Sequence, residues 1–440
     1  MPITRIDLKR SSPQILLSLF GLVMTLLAFY PGIVSSDAID QYQQGSRFIF
    51  TDWHPPVMSF IWAITDKIIP GPFGMLLLEC LMFWGSLLLL SASIPAKHKY
   101  LSLSVIVVGF MPFALGTLSH ILKDVFHAVT WMLAVGLVVI ANRNATGKRK
   151  IIIFAGILLI IGSMFRFNAI FGLIPLAWLL VADEKPWAWK KLAFALVLFP
   201  LCAILFTSVF NYKILDASKS KAFQSLIVFD IGGISHFSDS NHFKEEWSDE
   251  EDSKIRNECY DSRSWNSYAW GPCGFVLKRL VASGSWDDGS LMGKWLEAIY
   301  HQPTAYLQHR YENFKSLLWE PGGILEDRTA SNSLGFEYKK TEAFIALQGI
   351  TDFLDDTPLF KPGFWLIVSL AFSLYGLFAS KGEAKNLIIA LNTSSFLYLL
   401  AYLFVGVASD FRYAYWSIMA TSVSVPFILL SIKTKIINRG

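Results

Sequence analysis

The sequence predicts an all-α polytopic membrane protein of about ten transmembrane helices with a small mixed outer domain. Three observations predict it. Hydrophobic residues make up 53% of the 440 and charged residues only 16%, where a soluble domain carries about 25% charged. The apolar residues fall in long unbroken runs, near the 20 or so that a bilayer core requires. Lys and Arg gather in alternate connections between those runs.

The runs lie at 14–34, 73–94, 100–118, 124–141, 151–165, 168–182, 192–210, 363–380, 386–407 and 413–432. The first follows Arg5, Lys9 and Arg10 but is not followed by a small-x-small cleavage site, so it is expected to be a retained span. The cation-bearing connections hold Arg5/Lys9/Arg10, Lys97/Lys99, Arg143/Lys148/Arg149/Lys150, Lys185/Lys190/Lys191, Lys381/Lys385 and Lys433/Lys435/Arg439. All fall on one side, which the positive-inside rule makes cytoplasmic, with both termini inside. Residues 57–69 are apolar but too short to span comfortably, and Asp66 and Lys67 interrupt them. An interfacial helix is expected there.

The organisation that follows has three parts. Residues 1–210 form an N-terminal membrane module with a first outer loop at 35–72. Residues 211–362 mix Gly, Pro, aromatic and charged residues and are too long for a loop, so they form a folded outer domain. Residues 363–440 return as C-terminal membrane helices. The acidic run at 245–252 reads as a solvated face and not as a metal site. Cys80 and Cys202 lie in apolar runs as packing residues, whereas Cys259 and Cys273 lie in the outer domain and can pair in an oxidising compartment. The net charge of +4 is scattered through short loops and forms no basic stripe, which argues against nucleic acid as a partner.

Polar residues collect at the outer ends of the runs. Asp37, Asp40 and Gln41 follow the first. Asp52-Trp53-His54-Pro55-Pro56 comes later in the same loop, with the two prolines fixing how Trp53 and His54 project. Lys123 and Asp124 precede the fourth run, Arg166-Phe167-Asn168 turns between the fifth and sixth, and Asp410, Arg412 and Tyr413 follow the ninth. The runs beside Arg166 are about 15 residues, roughly 22 Å at 1.5 Å per residue, shorter than a hydrocarbon core of about 30 Å. Arg166 is therefore expected below the outer surface, inside protein or a wet cavity, where a cation is costly and marks a functional site. Arg offers a fork matched to phosphate oxygens and Lys a point charge. Asp37 and Asp40, three apart, would share one helical face, and a carboxylate can accept a hydroxyl proton.

In these residues the chain resembles the GT-C superfamily of membrane glycosyltransferases, which includes protein mannosyltransferases, lipid A aminoarabinose transferases and O-antigen glucosyltransferases. The resemblance covers most of 1–210 and 363–432. It implies that Asp37 or Asp40 is the catalytic carboxylate of the first outer loop and that the Trp53-His54-Pro-Pro stretch is the later element of that loop, with His54 as a catalytic candidate. It implies a polyprenyl-phosphate sugar, such as undecaprenyl phosphate, as donor, its phosphate held by Lys123, Arg166 and Arg412. Gln41, Trp53, Asp124, Asn168, Asp230, Asp410 and Tyr413 are the expected substrate-positioning residues; the stretch from Phe229-Asp230 to Ser235 is one of the few familiar pieces of the outer domain. The first loop has Asp37-x-x-Asp40 and no Asp-x-Asp, which points to a mechanism without a metal, and no cofactor is expected. The absence of a GxxxxGKS-type loop fits a donor that is not a nucleotide.

The expected function is hexosyl transfer to a hydroxyl of a periplasmic acceptor, an O-antigen, lipopolysaccharide or other surface glycan. The expected partners are the lipid-linked sugar, a glycan or glycolipid acceptor and membrane lipids. A Gram-negative inner membrane, with the active site facing the periplasm, suits the topology and a Cys259–Cys273 pair. The rival readings are an O-antigen ligase or polymerase using a diphosphate-linked donor, and a lipid or sugar transporter. A transporter would carry broken helices in repeated halves, and no such repeat is visible.

Overall fold

The computed structural model describes residues 12–143, 147–182, 189–323, 325, 332, 334–382 and 384–437. Arg5, Lys9, Arg10, Lys185 and Arg439, part of the charge pattern above, lie outside the described residues. Ser12–Phe29 (α1) leads through a short linker to Ser36–Arg47 (α2), Pro56–Ile68 (α3) and Phe73–Ala92 (α4). Lys99–Val107 (α5) and Pro112–Leu118 (α6) belong to a helix pair bent by 50°. Lys123–Arg143 (α7), Lys148–Ser163 (α8), Ala169–Val181 (α9) and Trp189–Ile214 (α10) complete the first membrane module, the last containing two π-helical turns.

The next segment carries Gln224–Ser238 (α11), Asp249–Asn257 (α12), Phe275–Ala282 (α13), Ser290–His301 (α14), Pro303–Trp319 (α15) and Glu342–Leu354 (α16). Pro362–Phe378 (α17), Ala384–Leu400 (α18) and Tyr415–Ile437 (α19) close the chain.

The chain is thus an all-helical polytopic membrane protein. Each of the ten expected runs is helical. Among the described residues six helices are long and apolar enough to cross a membrane, or seven if the bent pair is one span. The other three, α8, α9 and α17, have 16, 13 and 17 residues. The expected interfacial helix is α3, packed against α2 and α4. The segment 211–362, expected as a mixed folded domain, begins with the end of α10 and is otherwise helical; among the described residues it has no strand, only isolated bridges, and its helix α16 packs on α1 and α6.

One apolar core joins the membrane helices. Neighbouring helices pack α4 on α7, α7 on α8, α9 on α18, and α17 and α19 on α18. Close approach of α8 to α7 depends on Gly162. A β-carbon there would lie 2.3 Å from the Trp131 ring, whose indole N–H donates to the Leu159 carbonyl at 2.9 Å. The second core belongs to the polar domain and includes Cys259 and Cys273, which are disulfide-bonded as expected. The acidic run forms a well-started helix, since Ser248 and Glu251 make a reciprocal capping box at α12.

Candidate functional site

Charged residues from five separate stretches meet at one end of the helix bundle, around a cavity of about 1570 Å3. The first stretch is α2. Its N-cap is Ser35, whose hydroxyl accepts from the Ala38 amide at 3.3 Å, so neither aspartate serves as the cap. Asp37 and Asp40 then project from one face, as the spacing requires. Gly45 lets this helix lie against α3, because a β-carbon would sit 2.4 Å from the Ser59 carbonyl oxygen. Pro56 occupies the first turn of α3, where its missing N–H costs nothing. The two-proline entry leaves His54 buried at the cavity edge.

The distances define a linked set. Lys123 Nζ lies 3.1 Å from His54 Nδ1 and 3.6 Å from Asp37 Oδ2. Arg412 approaches Asp37 Oδ2 at 3.4 Å and Asp410 Oδ2 at 3.0 Å. Its Nε is also 3.9 Å from Asp124 Oδ2. Arg166 reaches Asp124 Oδ1 at 3.3 Å, donates to the Tyr402 hydroxyl and stacks on Tyr413, 4.5 Å from the ring centre. Tyr402 and Tyr413 are themselves parallel, 5.4 Å apart. His54 Nε2 stands 3.9 Å from both Asp37 Oδ1 and Asp40 Oδ2.

The electrostatics follow from this arrangement. Burial opposes ionisation of Asp37, but Lys123, Arg412 and His54 outweigh it and hold the carboxyl well below the usual carboxylate range. Burial, then Lys123, push His54 down to about 3, so the imidazole is neutral. Lys123 therefore donates to Nδ1, which leaves the proton on Nε2, facing the two carboxylates. Burial and the neighbouring Asp37 raise Asp40, partly offset by the bond that Gln44 donates to it at 2.7 Å. Each cation is matched by a carboxylate and none points alone into the cavity. An entering anion would have to be shared among them. Among the described residues no group of three or more His, Cys, Asp or Glu is placed to hold a metal ion.

Of the expected residues, Asp37, Asp40, Trp53, His54, Lys123, Arg166, Asn168, Asp410, Arg412 and Tyr413 all line the cavity. Asp124 sits behind the wall, 1% exposed in its side chain, joining Arg166 to Arg412. Gln41 does not reach the cavity; at 1% exposure it is buried in the packing of α2. Asp230 does not reach it either. It is fully buried in the polar domain, bonded to Arg310, 3.1 Å from His309 Nε2, and accepting from the Trp295 indole at 2.8 Å. Its familiar sequence context reflects that buried cluster. Tyr402, which holds Arg166, was missed. It stands four residues after Tyr398 on a helical face that reads as ordinary apolar packing. The polar domain's contribution to the wall, including Trp265 and Trp270, was missed as well, because nothing local marks which of its residues turn toward the membrane module.

The sequence matches no protein-family model and no curated protein. In structure the chain is similar to the archaeal oligosaccharyltransferase AglB from Archaeoglobus fulgidus, solved in complex with an inhibitory peptide and a dolichol-phosphate. The identity is 11% and the TM-score 0.40, over 96% of this chain and 50% of that one. The chain thus spans half the length of that protein, and nothing about activity follows from a likeness of that degree.

Proposed function

We propose that the protein is a glycosyltransferase moving a sugar from a polyprenyl-phosphate donor to a hydroxyl of an acceptor glycan, within the GT-C superfamily its motifs resemble. The observation that carries the proposal is the convergence of first-loop carboxylates and span-end cations on one cavity, with Arg412 3.4 Å and Lys123 3.6 Å from Asp37. A donor of this kind needs cations where its phosphate departs and a base where the acceptor proton is lost, both beside apolar helices that receive the lipid tail.

In the proposed reaction the acceptor oxygen forms a bond to the sugar anomeric carbon while the bond from that carbon to the phosphate oxygen breaks. The electron pair leaves with the polyprenyl phosphate. Asp37, ionised at rest, takes the hydroxyl proton once Lys123 and Arg412 have turned from it to the phosphate, which restores its basicity. Lys123, Arg166 and Arg412 meet the charge growing on the leaving phosphate, loosening from Asp37, Asp124 and Asp410 as they do so. Neutral His54 presents its Nε2–H between the two first-loop carboxylates, 3.9 Å from an oxygen of each, and would close on the one that moves toward it. Asp40 is the second carboxylate of the pair and positions the acceptor, as do Trp53, Asn168, Asp410 and Tyr413, while Asp124 fixes the two arginines. The site would face the periplasm of a bacterial inner membrane, with both termini cytoplasmic and undecaprenyl phosphate as the lipid carrier.

The test is transfer from synthetic short-chain polyprenyl-phosphate hexoses to surface-glycan fragments by the purified full chain in nanodiscs. Asp37→Asn is expected to slow transfer by about 10²–10⁴-fold, the usual worth of a general base, and Asp40→Asn by less. Undiminished transfer in Asp37→Asn would remove it from the mechanism. Activity only with diphosphate-linked polymers would give the ligase or polymerase reading instead. Lipid movement across the bilayer without sugar transfer would give the transporter.

A further inference from the structure

Three tryptophans from two distant parts of the chain form one aromatic wall of the cavity. Trp53 comes from the first loop, next in the chain to His54, and Trp265 and Trp270 come from the polar domain. Trp53 lies 6.0 Å from Trp265 and 6.1 Å from Trp270, and Trp265 lies 5.2 Å from Trp270. Trp265 is buried and supports the group. Trp270 is 65% exposed and lines the cavity.

The wall is fixed beside the charge cluster by the backbone. The Trp265 amide donates to the Val407 carbonyl at 3.0 Å, and Ser264 bridges antiparallel to Ala408, in the loop that leads to Asp410 and Arg412. Asp261, Arg263 and Asn266 flank the wall along the same cavity. Arg263, paired with Asp261 at 3.2 Å, and Asn266 supply solvent-accessible hydrogen-bonding groups next to the exposed Trp270 ring. The cavity, at about 1570 Å3, exceeds the roughly 300–1,000 Å3 of a small-molecule pocket. A donor head group at the charge cluster would leave a large part of it open.

We propose that this wall is a saccharide-stacking subsite, in which Trp270 and Trp53 bind a sugar ring of an acceptor oligosaccharide. A pyranose presents a face of C–H bonds whose positive polarisation suits the negative face of an aromatic ring. Its equatorial hydroxyls then point sideways, toward groups such as Asp261, Arg263 and Asn266. A peptide acceptor has no such alternation of C–H face and hydroxyl rim. The inference rests on the transferase reading for the word acceptor, but the subsite itself is defined by binding alone.

The experiment is saturation-transfer NMR on the full chain in nanodiscs, with maltotriose, cellotriose, isomaltotriose and chitotriose as probes. The expected result is saturation of sugar ring protons by the wild-type chain. It should fall about fivefold in Trp270→Ala and in Trp53→Ala, the order of one lost stacking contact, and be largely kept in Trp270→Phe. Asp37→Asn should bind the same sugars as well as wild type does, so lost transfer with intact binding separates the catalytic reading from the subsite. No saturation of any probe by the wild-type chain overturns the proposal. Equal saturation of the wild type and Trp270→Ala overturns it too. If Trp270→Ala instead weakens nanodisc insertion and leaves sugar binding intact, the ring is a membrane-interface anchor and the subsite is refuted.

Discussion

Two clusters of charge in this protein are built from similar residues and differ in what surrounds them. Around the cavity, Asp37, Asp124 and Asp410 face Lys123, Arg166 and Arg412 across gaps of 3.0–3.9 Å, with most of these side chains 12–28% exposed. In the polar domain, Asp230, His309 and Arg310 are 0–3% exposed; Asp230 Oδ1 lies within ion-pair distance of both His309 and Arg310, and Oδ2 accepts from the Trp295 indole. There burial holds His309 below its usual range even beside a carboxylate. Arg310 also donates to the Gly406 carbonyl at 2.8 Å, four residues before Asp410. The dry cluster is closed and fixes the loop that presents the wet one. The wet cluster is looser and keeps a face to the cavity, where a ligand can rearrange it. Ion pairing alone therefore does not mark a site; pairing that remains open to a cavity does.

The comparison is broken most severely by Arg310→Met. Removing one partner of a buried pair costs about 3–5 kcal/mol, so thermal unfolding in detergent should fall sharply and yield should drop. The double variant Arg310→Met with Asp230→Leu should recover part of that loss, because no buried charge is left alone. A mild effect of the single variant would mean that the cluster is wetter than its burial implies.

Arg166→Ala makes the opposite test. Transfer should fall by about 10²–10³-fold, the cost of one lost charge-stabilising donor, while the unfolding temperature moves less than in Arg310→Met. Retained activity in a well-folded variant would sink the role of Arg166. Replacing Cys259 and Cys273 by Ser probes the polar domain alone. The closed loop of about 15 residues is worth roughly 3 kcal/mol, so that domain should become protease-sensitive first, ahead of the membrane helices.

The last effect appears only in acid and vanishes at neutral pH. His54 is folded with a value near 3 against 6.5 when free, so the unfolded chain binds the proton more readily in between. Stability from this group is complete above about pH 6.5 and is lost as the pH falls toward 3. His54→Gln should flatten that part of the stability curve, followed by thermal unfolding at stepped pH. Asp37 adds a loss of the same sign at lower pH, since its folded value lies below the ordinary 3.8.

Much of the candidate site was legible because its residues break a strong local rule. Charges at the ends of apolar runs stand out against a background that tolerates few, so Arg166 could be read singly, and Lys123 and Arg412 by their presence with it on the side poor in cations. Asp37 and Asp40 could be read as a pair because helical spacing is local. Asp230 misled for the same reason: a charge in an unusual context is visible, but its partners Arg310 and Trp295 lie about 80 and 65 residues away. Tyr402, Trp265 and Trp270 were illegible because aromatic residues in an apolar chain violate nothing.

Sequence by itself determined the helical membrane class, the positions of the apolar runs, the pairing of the two domain cysteines and the residues that had to be explained. These are set by composition and by spacing along the chain, and the hydrophobic effect acts on them locally. Only the tertiary structure decided that Asp124 links two arginines, that Lys123 and Arg166 already have carboxylate partners, and that Trp53 meets Trp265 and Trp270. Those facts depend on contacts between residues tens to hundreds of positions apart, and such distances are fixed by packing.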